Sequence, residues 1–258
     1  MGHDGAMTND ALYDHDLAAV HEADFTAIAS GAARTLLAAL DRAGHRTGTV
    51  VDLGCGGGTL AARLVDAGYD VLGVDLSPAM VELARAAVPA ATFVQGSVWD
   101  VELPEAIAVS AVGEVVNYAA DPRAGLEQLR TLAARVHAAL RPGGVFLLDI
   151  ATPGRGGPEG SRAALHDADD HTLHFSARES VDDDGQAMLE RRMILFTRDG
   201  DRYRRADEVH RLRLYETATV TDLLRATGFD VALLGAYDDE PLPDGWIAIA
   251  ATRPRSTT

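Results

Sequence analysis

The sequence predicts an α/β fold, a mostly parallel sheet with helices on both faces, and three observations predict it. Between residues 49 and 150, apolar strand-like runs alternate with helical segments, the order that builds parallel sheets through crossover helices. The first strand runs directly into a glycine cluster and then a helix-like segment. From 151 to 215 the alternation gives way to strand-like segments separated by turn residues, which reads as an antiparallel β insertion or lid. With 258 residues and 47% hydrophobic content, one such domain plus an elaboration accounts for the chain.

Taken in order, Leu17 to Leu40 places apolar residues such as Val20, Phe25, Ile28, Leu36, Leu37 and Leu40 at mixed spacings that include helical steps of three and four, which predicts one or two amphipathic helices closed by Gly44. Thr49 to Leu53 is a buried strand, Thr59 to Ala67 a helix stopped by Gly68, and Asp70 to Val74 a second strand ending in Asp75. Ser77-Pro78 opens a helix as N-cap and first helical residue, and this helix runs to Val88. Strands follow at Ala91 to Val94 and Ile107 to Val112, then a long helix at Pro122 to Leu140 and a strand at Gly144 to Ile150 introduced by Arg141-Pro142-Gly143-Gly144. In the insertion, strands are expected at Thr172 to Ser180, Met188 to Thr197 and Arg202 to Tyr215, with Asp199-Gly200 turning between the last two. A helix at Thr219 to Ala226 and strands at Phe229 to Tyr237 and Trp246 to Thr252 end the chain, the last two pairing as an antiparallel edge hairpin. The organisation is a helical cap (1–47), a cofactor-binding core (48–150), the insertion (151–215) and a closing segment (216–258).

Charge and composition narrow the function. There are 39 acids against 23 bases, a net charge of −16, and every base is arginine, so a sequence-blind nucleic-acid binder is not expected. Cys55 is the sole cysteine, which excludes an internal disulfide and suits a reducing, cytoplasmic setting. No apolar run reaches the roughly 20 residues a membrane span needs, and the polar start shows no signal-peptide core. The runs Asp167-Ala168-Asp169-Asp170 and Asp182-Asp183-Asp184 have no calcium-loop spacing, and the nine histidines form no metal motif. No metal is expected, and no motif specifies an oligomeric state.

The chemistry sits in the glycine turn. Glycines there permit positive φ and close approach of a ligand, while the helix that follows offers free N–H groups. An acid ending the second strand, Asp75, suits the vicinal hydroxyls of a ribose. A nicotinamide dinucleotide site would place glycine or alanine at position 59, where this chain has Thr59. That spacing disfavours an NAD-linked oxidoreductase, which stays as a rival reading.

Three segments, Val51-Asp52-Leu53-Gly54-Cys55-Gly56-x-Gly58, Gly73-Val74-Asp75-Leu76-Ser77 and Arg141-Pro142-Gly143-Gly144, resemble the successive motifs of class I S-adenosylmethionine-dependent methyltransferases. The resemblance covers residues 48 to 150. It implies a Rossmann-like seven-stranded sheet with a reversed last strand and S-adenosylmethionine as cofactor. It puts the cofactor's amino-acid end at Gly54, Cys55 and Gly56, its ribose on Asp75, its adenine against Leu76 and Met80, and its methyl-bearing part beside Gly113. Where many relatives have a Gly-Asp pair after the third strand, this chain has Gly96-Ser97. Ser97 then stands in as a weaker acceptor, with the Val98 N–H serving an adenine ring nitrogen.

In this reading the segment Val112 to Tyr118 passes the transferring methyl. Glu114 is either a base or substrate anchor or a turn cap, and Asn117 and Tyr118 are polar contacts to the substrate. Asn117-Tyr118 lacks the two prolines of the signature used on exocyclic base amines, which points away from nucleic acid. Tyr13-Asp14 resembles a pair that small-molecule methyltransferases carry in an N-terminal lid helix, with the tyrosine closing over the cofactor. In His210 to Tyr215, alternation puts His210, Leu212 and Leu214 on one face and Arg211, Arg213 and Tyr215 on the other. Arg211 and Arg213 are candidate partners of a substrate carboxylate. The expected activity is methyl transfer to oxygen, nitrogen or activated carbon of a small molecule; the alternative within the fold is a protein that binds the cofactor without transferring methyl.

Overall fold

The computed structural model describes residues 12–24, 26–157 and 159–255. Residues 1–11 of the expected cap, Phe25 in its helical region, Pro158 and residues 256–258 lie outside the described residues. The chain order is α1 (His15–Asp24), α2 (Ala27–Ala43), β1 (Thr49–Leu53), α3 (Thr59–Asp66), β2 (Asp70–Asp75), α4 (Pro78–Ala87), β3 (Thr92–Gln95), β4 (Ala106–Ala111), α5 (Leu126–Ala139) and β5 (Leu140–Ala151). The insertion supplies β6 (Ser161–Asp167), β7 (His171–Val181), β8 (Ala187–Asp199) and β9 (Arg202–Arg213). Then come α6 (Thr217–Ala226), β10 (Asp230–Leu234), β11 (Ala236–Tyr237), β12 (Glu240–Pro241) and β13 (Trp246–Thr252). A short 3-10 helix, Val115–Asn117, follows β4.

Seven strands form the central sheet in the order β10-β13-β5-β4-β1-β2-β3. β1 lies parallel to β2 and β4, β4 parallel to β5, and β13 runs antiparallel to both β5 and β10. The sheet is Rossmann-like with a reversed strand. Its core strands read as apolar runs because both faces are covered: every residue of β4 is buried. One face packs on α5 and α6 through Leu129, Leu132, Val136 and Leu224, and the other on α2, α3 and α4 through Leu36, Leu40, Leu64 and Val81.

The second sheet is antiparallel, in the order β6-β7-β8-β9. The Asp199-Gly200 turn joins β8 and β9, with Gly200 at φ +62. β6 is not among the strands expected from the sequence: Ser161 to Asp167 has no β-branched residue and no alternation, and it becomes a strand by pairing along β7. α1 lies between this sheet and the core. Leu17 and Val20 pack on Leu173, Met193 and Leu195 of the insertion, and Ala18 packs on Ala79 and Met80 of α4.

Boundaries differ where side chains compete for the backbone. The expected helix from Pro122 starts at Leu126, because Asp121 holds the preceding turn through the Arg123 N–H at 3.0 Å and its own carbonyl accepts the Ala124 N–H. Arg141 to Gly144 belongs to a long β5, irregular where its pairing with β4 shifts register. No helix among the described residues is long and apolar enough to cross a membrane.

Gly73 on β2 is a packing requirement: a Cβ there would run into the ring of buried Phe93 and lie 3.0 Å from the Cys55 sulfur. Gly73→Ala is expected to destabilise the fold by about 1–3 kcal/mol through overpacking, seen as a lower urea midpoint at unchanged slope. A midpoint equal to that of the unsubstituted chain would show that Phe93 has room to move.

Candidate active site

Two cavities open at the carboxyl ends of the central strands and share a wall. The smaller, of about 140 Å³, is lined by Gly54, Gly56, Asp75, Leu76, Met80, Ser97, Val98, Trp99, Gly113 and Asp121. The larger, of about 610 Å³, lies between the glycine turn, α1 and the inner face of the insertion sheet, and Cys55, Glu114, Arg155, Arg162, Arg191 and His210 line it. Tyr13, Tyr118, Gly54, Gly56 and Gly113 line both.

The glycine turn is built by constraint. Gly54 has φ +69, its N–H donates to the Val74 carbonyl at 2.7 Å, and a Cβ there would collide with Val115. Asp75, at the end of β2, accepts the Gly56 N–H through Oδ2 and the Ser77 N–H through Oδ1, both at 2.9 Å. Burial raises its carboxyl above the usual range despite these two donors. Asp52, buried at the end of β1, accepts the Ser110 hydroxyl at 2.7 Å. Burial, reinforced by the charges of Asp75 and Glu22, pushes Asp52 up to about 7. Glu22 reaches over the turn from α1 and accepts the Thr59 hydroxyl at 3.1 Å. Its burial works against ionisation, but His21, the Gly57 N–H and Thr59 outweigh that and hold it below the usual range. Three carboxylates thus surround one glycine turn, a setting that fits a cation and disfavours a phosphate.

The other cavity has the opposite character. After β4, Gly113 (φ +98) and Glu114 (φ +62) both turn left-handed. Buried Asp149 of β5 fixes them by accepting the Gly113 N–H at 3.0 Å and the Glu114 N–H at 2.5 Å. Burial pushes Asp149 up to about 6, while those N–H groups lower it in part. The turn aims Glu114 into the protein, where Arg155 Nε donates to Oε1 at 2.6 Å and Arg191 Nη2 to Oε2 at 2.5 Å. Burial alone would raise the Glu114 carboxyl, but Arg191 and Arg155 together hold it below the usual range. A carboxylate so bound is a poor proton acceptor. Of the readings open for Glu114, base, substrate anchor or turn cap, this arrangement disfavours the base and leaves the carboxylate orienting two guanidiniums.

Between the two cavities sit Tyr13, Tyr118 and His210. The phenol oxygens lie 3.2 Å apart, and the His210 ring lies 4.8 Å from the Tyr13 ring and 5.6 Å from that of Tyr118. Burial first, and then their mutual contact in the case of Tyr13, raises both phenols, so both stay protonated. His210 Nε2 faces Glu208 Oε2 at 2.8 Å, and among the described residues its buried Nδ1 has no partner. Burial lowers the His210 pKa although Glu208 opposes the shift. Glu208 also accepts the Tyr13 and Asp14 N–H groups, each at 2.8 Å, and so caps the start of α1. One carboxylate both orients the histidine and ties the N-terminal segment over the site.

Several expected residues are placed elsewhere. The Asn117 amide is consumed by backbone, donating to the Ala151 and Arg213 carbonyls and accepting the Ala151 N–H, so the substrate contact expected of it is replaced by a structural role. Arg211 is exposed and pairs with Glu190 at 3.1 Å, while Arg213 faces Asp182 at 3.9 Å. Neither lines either of these two cavities, because the face of β9 that looks inward is that of Glu208, His210 and Leu212. Burial pushes the Cys55 thiol far up, which leaves it a packing residue. The Ser97 hydroxyl donates to Asp121 Oδ2 at 2.5 Å, so a carboxylate from the segment after Tyr118 reaches the place where Ser97 was expected to act alone.

Arg155, Arg162, Arg191, Glu208, Glu22 and Asp121 were not anticipated. One sequence signal existed for Arg191: it falls in register with Leu189, Met193 and Leu195 on the buried face of β8, and an arginine on an apolar face needs a partner. Arg155 and Asp121 lie in loops, where no periodicity marks them.

The chain is similar in sequence and fold to known proteins. The methyltransferase domain family matches residues 50–144. An uncharacterised methyltransferase of Synechocystis is 36% identical over 105 residues, 40% of this chain and 48% of the relative, so the match spans about half of that protein's length. Among solved structures, an S-adenosylmethionine-dependent methyltransferase from Clostridium acetobutylicum superposes with a TM-score of 0.76 at 17% identity, covering 93% of this chain and 98% of the other. The sugar N-methyltransferase KedS8 from Streptoalloteichus gives 0.74 at 21% identity, covering 99% of each chain. These structural likenesses show the fold.

Two outcomes are expected from the buried acids. Because the folded Asp52 value of about 7 lies above the ordinary carboxylate value, its favourable contribution at low pH is lost as pH rises through about 7. A cation at the turn favours the ionised form, so S-adenosylmethionine should bind more tightly across that rise and release protons. S-adenosylhomocysteine, lacking the sulfonium charge, should respond less, and Asp52→Asn should abolish the difference. Calorimetry in buffers of different ionisation enthalpy counts the protons; equal release for both ligands would remove Asp52 from cation binding. Separately, Glu114→Gln breaks a buried pair and is expected to cost about 3–5 kcal/mol in denaturant unfolding.

Proposed function

We propose that this chain, a member of the class I S-adenosylmethionine-dependent methyltransferases, transfers a methyl group to an oxygen, nitrogen or activated carbon of a small molecule bound in the larger cavity. The observation that carries this reading is the shared wall, where Tyr13, Tyr118 and Gly113 face both cavities. Two ligands seated in the two cavities would meet along this wall.

Asp75 is suited to the ribose hydroxyls, Leu76, Met80 and Trp99 to the faces of the adenine, and Asp121 with the Val98 N–H to its polar edge. Asp52 and Glu22 give the glycine turn its negative potential. The bound cofactor supplies a methyl on a positive sulfur, so the protein's share is positioning and proton removal. Gly113 leaves open space at the junction, since nothing lies within 4 Å of where its Cβ would be. The two tyrosine hydroxyls stay protonated and offer hydrogen bonds to the acceptor. Glu208 fixes His210 with its proton on Nε2, which leaves Nδ1 as the acceptor for a proton leaving the substrate. The lowered pKa keeps that nitrogen unprotonated near neutrality. α1 and the insertion sheet are joined over the site through Glu208.

The resemblance of the whole chain to a sugar N-methyltransferase supports a small polar acceptor over a macromolecule, as does the depth of the cavity behind α1. The functional test is calorimetric titration with S-adenosylmethionine, S-adenosylhomocysteine and NAD, followed by mass spectrometry for methyl gain across a metabolite library. Binding of NAD and neither sulfur compound would sink the proposal.

Asp75→Ala should weaken S-adenosylmethionine by about 2–4 kcal/mol at most, the loss of charge-assisted hydrogen bonds. His210→Gln is expected to lower kcat by about 100-fold or more with cofactor affinity unchanged. In the unsubstituted enzyme kcat/KM should rise with pH through a value below the ordinary histidine pKa of about 6.5, as His210 loses its proton. That limb should vanish in the variant, and an unaltered profile would remove the histidine as base.

A further inference from the structure

The larger cavity holds more positive charge than its own acids neutralise. Glu114 is a single carboxylate shared by two guanidiniums. Arg155 is only 5% exposed, its Cζ lies 4.7 Å from the Trp246 ring centre, and its buried Nη1 has no partner among the described residues. Arg191 likewise leaves Nε without a partner. A third guanidinium, Arg162 on β6, lines the same cavity 5.4 Å from the Phe175 ring centre, and no described carboxylate pairs with it. Burial and the charges of Arg155 and Arg191 lower its pKa, the response of a cation among uncompensated cations. Glu22 lines this cavity at the glycine turn, where it accepts the Thr59 hydroxyl, and Asp75 lines only the smaller cavity, so two carboxylates face three guanidiniums in the larger one.

We infer that the acceptor is an anion, a small organic acid or phosphoryl compound with an apolar body, and that Arg155 and Arg162 bind its anionic oxygens. A guanidinium with one edge already fixed by Glu114 presents its remaining N–H groups in a set plane, which matches carboxylate or phosphoryl oxygens. Burying an N–H donor without a partner costs free energy, and an anion at Nη1 removes that cost while it offsets the repulsion among the three arginines. The apolar body lies against Leu173, Phe175, Met193 and Trp246, which line the same cavity. The anion then lies beside the Glu114 cluster, and the rest of the molecule reaches His210, Tyr13 and Tyr118, which line the same cavity. This assignment rests on the larger cavity being the acceptor site.

The test uses the full chain loaded with S-adenosylhomocysteine and titrated calorimetrically with four probes of one size: benzoate, phenyl phosphate, benzamide and benzylamine. At least one anion should bind roughly tenfold or more tightly than benzamide, with benzylamine weakest, as for hydrogen bonds to charged groups. Preference between benzoate and phenyl phosphate assigns the anion as carboxylate or phosphoryl. Arg162→Gln, an exposed residue outside the Glu114 pair, should weaken the preferred anion by roughly tenfold and leave S-adenosylhomocysteine affinity unchanged. Anions that bind no better than benzamide overturn the inference, as does an Arg162→Gln variant with unaltered anion binding. An equal loss of S-adenosylhomocysteine affinity in that variant overturns it too, because Arg162 would then serve the cofactor's carboxylate. Failure of S-adenosylhomocysteine to bind the unsubstituted chain overturns the methyltransferase reading instead, and the same four titrations on the unloaded chain then decide the anion site.

Discussion

The contact of the Glu114 carboxylate with Arg155 and Arg191 joins the parallel sheet to the antiparallel one. A carboxylate buried alone would cost several kcal/mol or simply take up a proton, and two guanidiniums buried without it would repel. Each element is therefore tolerable only in the presence of the others. The geometry begins one layer down, where Asp149 of β5 holds the Gly113 and Glu114 N–H groups. That turn keeps Glu114 at φ +62, a conformation costing on the order of 1–3 kcal/mol for a residue with a side chain. The arginines come from the loop after β5 and from β8, so the insertion cannot dock in another register without abandoning them.

A second carboxylate, Glu208, does comparable work at the N-terminal segment. By capping α1 and orienting His210 at once, it makes closure of the site and placement of the histidine parts of one interaction. The Tyr13 carbonyl also accepts the Ser77 hydroxyl at 2.9 Å, which ties the same residue to the N-cap of α4. Tyr13 is thus held by the insertion on one side and the core on the other. Charge is unevenly spread over the site: Asp52, Asp75 and Glu22 surround the glycine turn, while Arg155, Arg162 and Arg191, with Glu114 bound to two of them, line the larger cavity beside neutral phenols and an imidazole. In a low-dielectric cleft such a distribution sorts ligands by charge, with a cation at the glycine turn and an anion at the arginines.

The core was legible in the sequence because each of its parts is a local solution to a local problem. Thr49 to Leu53 must be a strand buried on both faces, Gly54 must turn where a Cβ meets Val115, and Ser77-Pro78 must open a helix. The expected pockets around Gly54, Asp75 and Gly113 follow from those elements, since the carboxyl ends of parallel strands carry the loops. β6 was not legible because its only reason to be a strand is its neighbour β7. Arg211 and Arg213 lie on the face of β9 turned away from the two cavities, pairing with Glu190 and Asp182, because alternation separates two faces of a strand without saying which faces inward.

The sequence by itself determined the parallel α/β core, the glycine turn with Asp75, and the resemblance that leads to S-adenosylmethionine, because periodicity and turn chemistry act over a few residues. Only the tertiary structure decided which charges meet. Glu114 with Arg155 and Arg191, separated by 41 and 77 positions, and Tyr13 with Glu208, separated by 195, are paired by the docking of one sheet on another. Charge pairing depends on distance in space, and nothing in the spacing of residues along a chain encodes that.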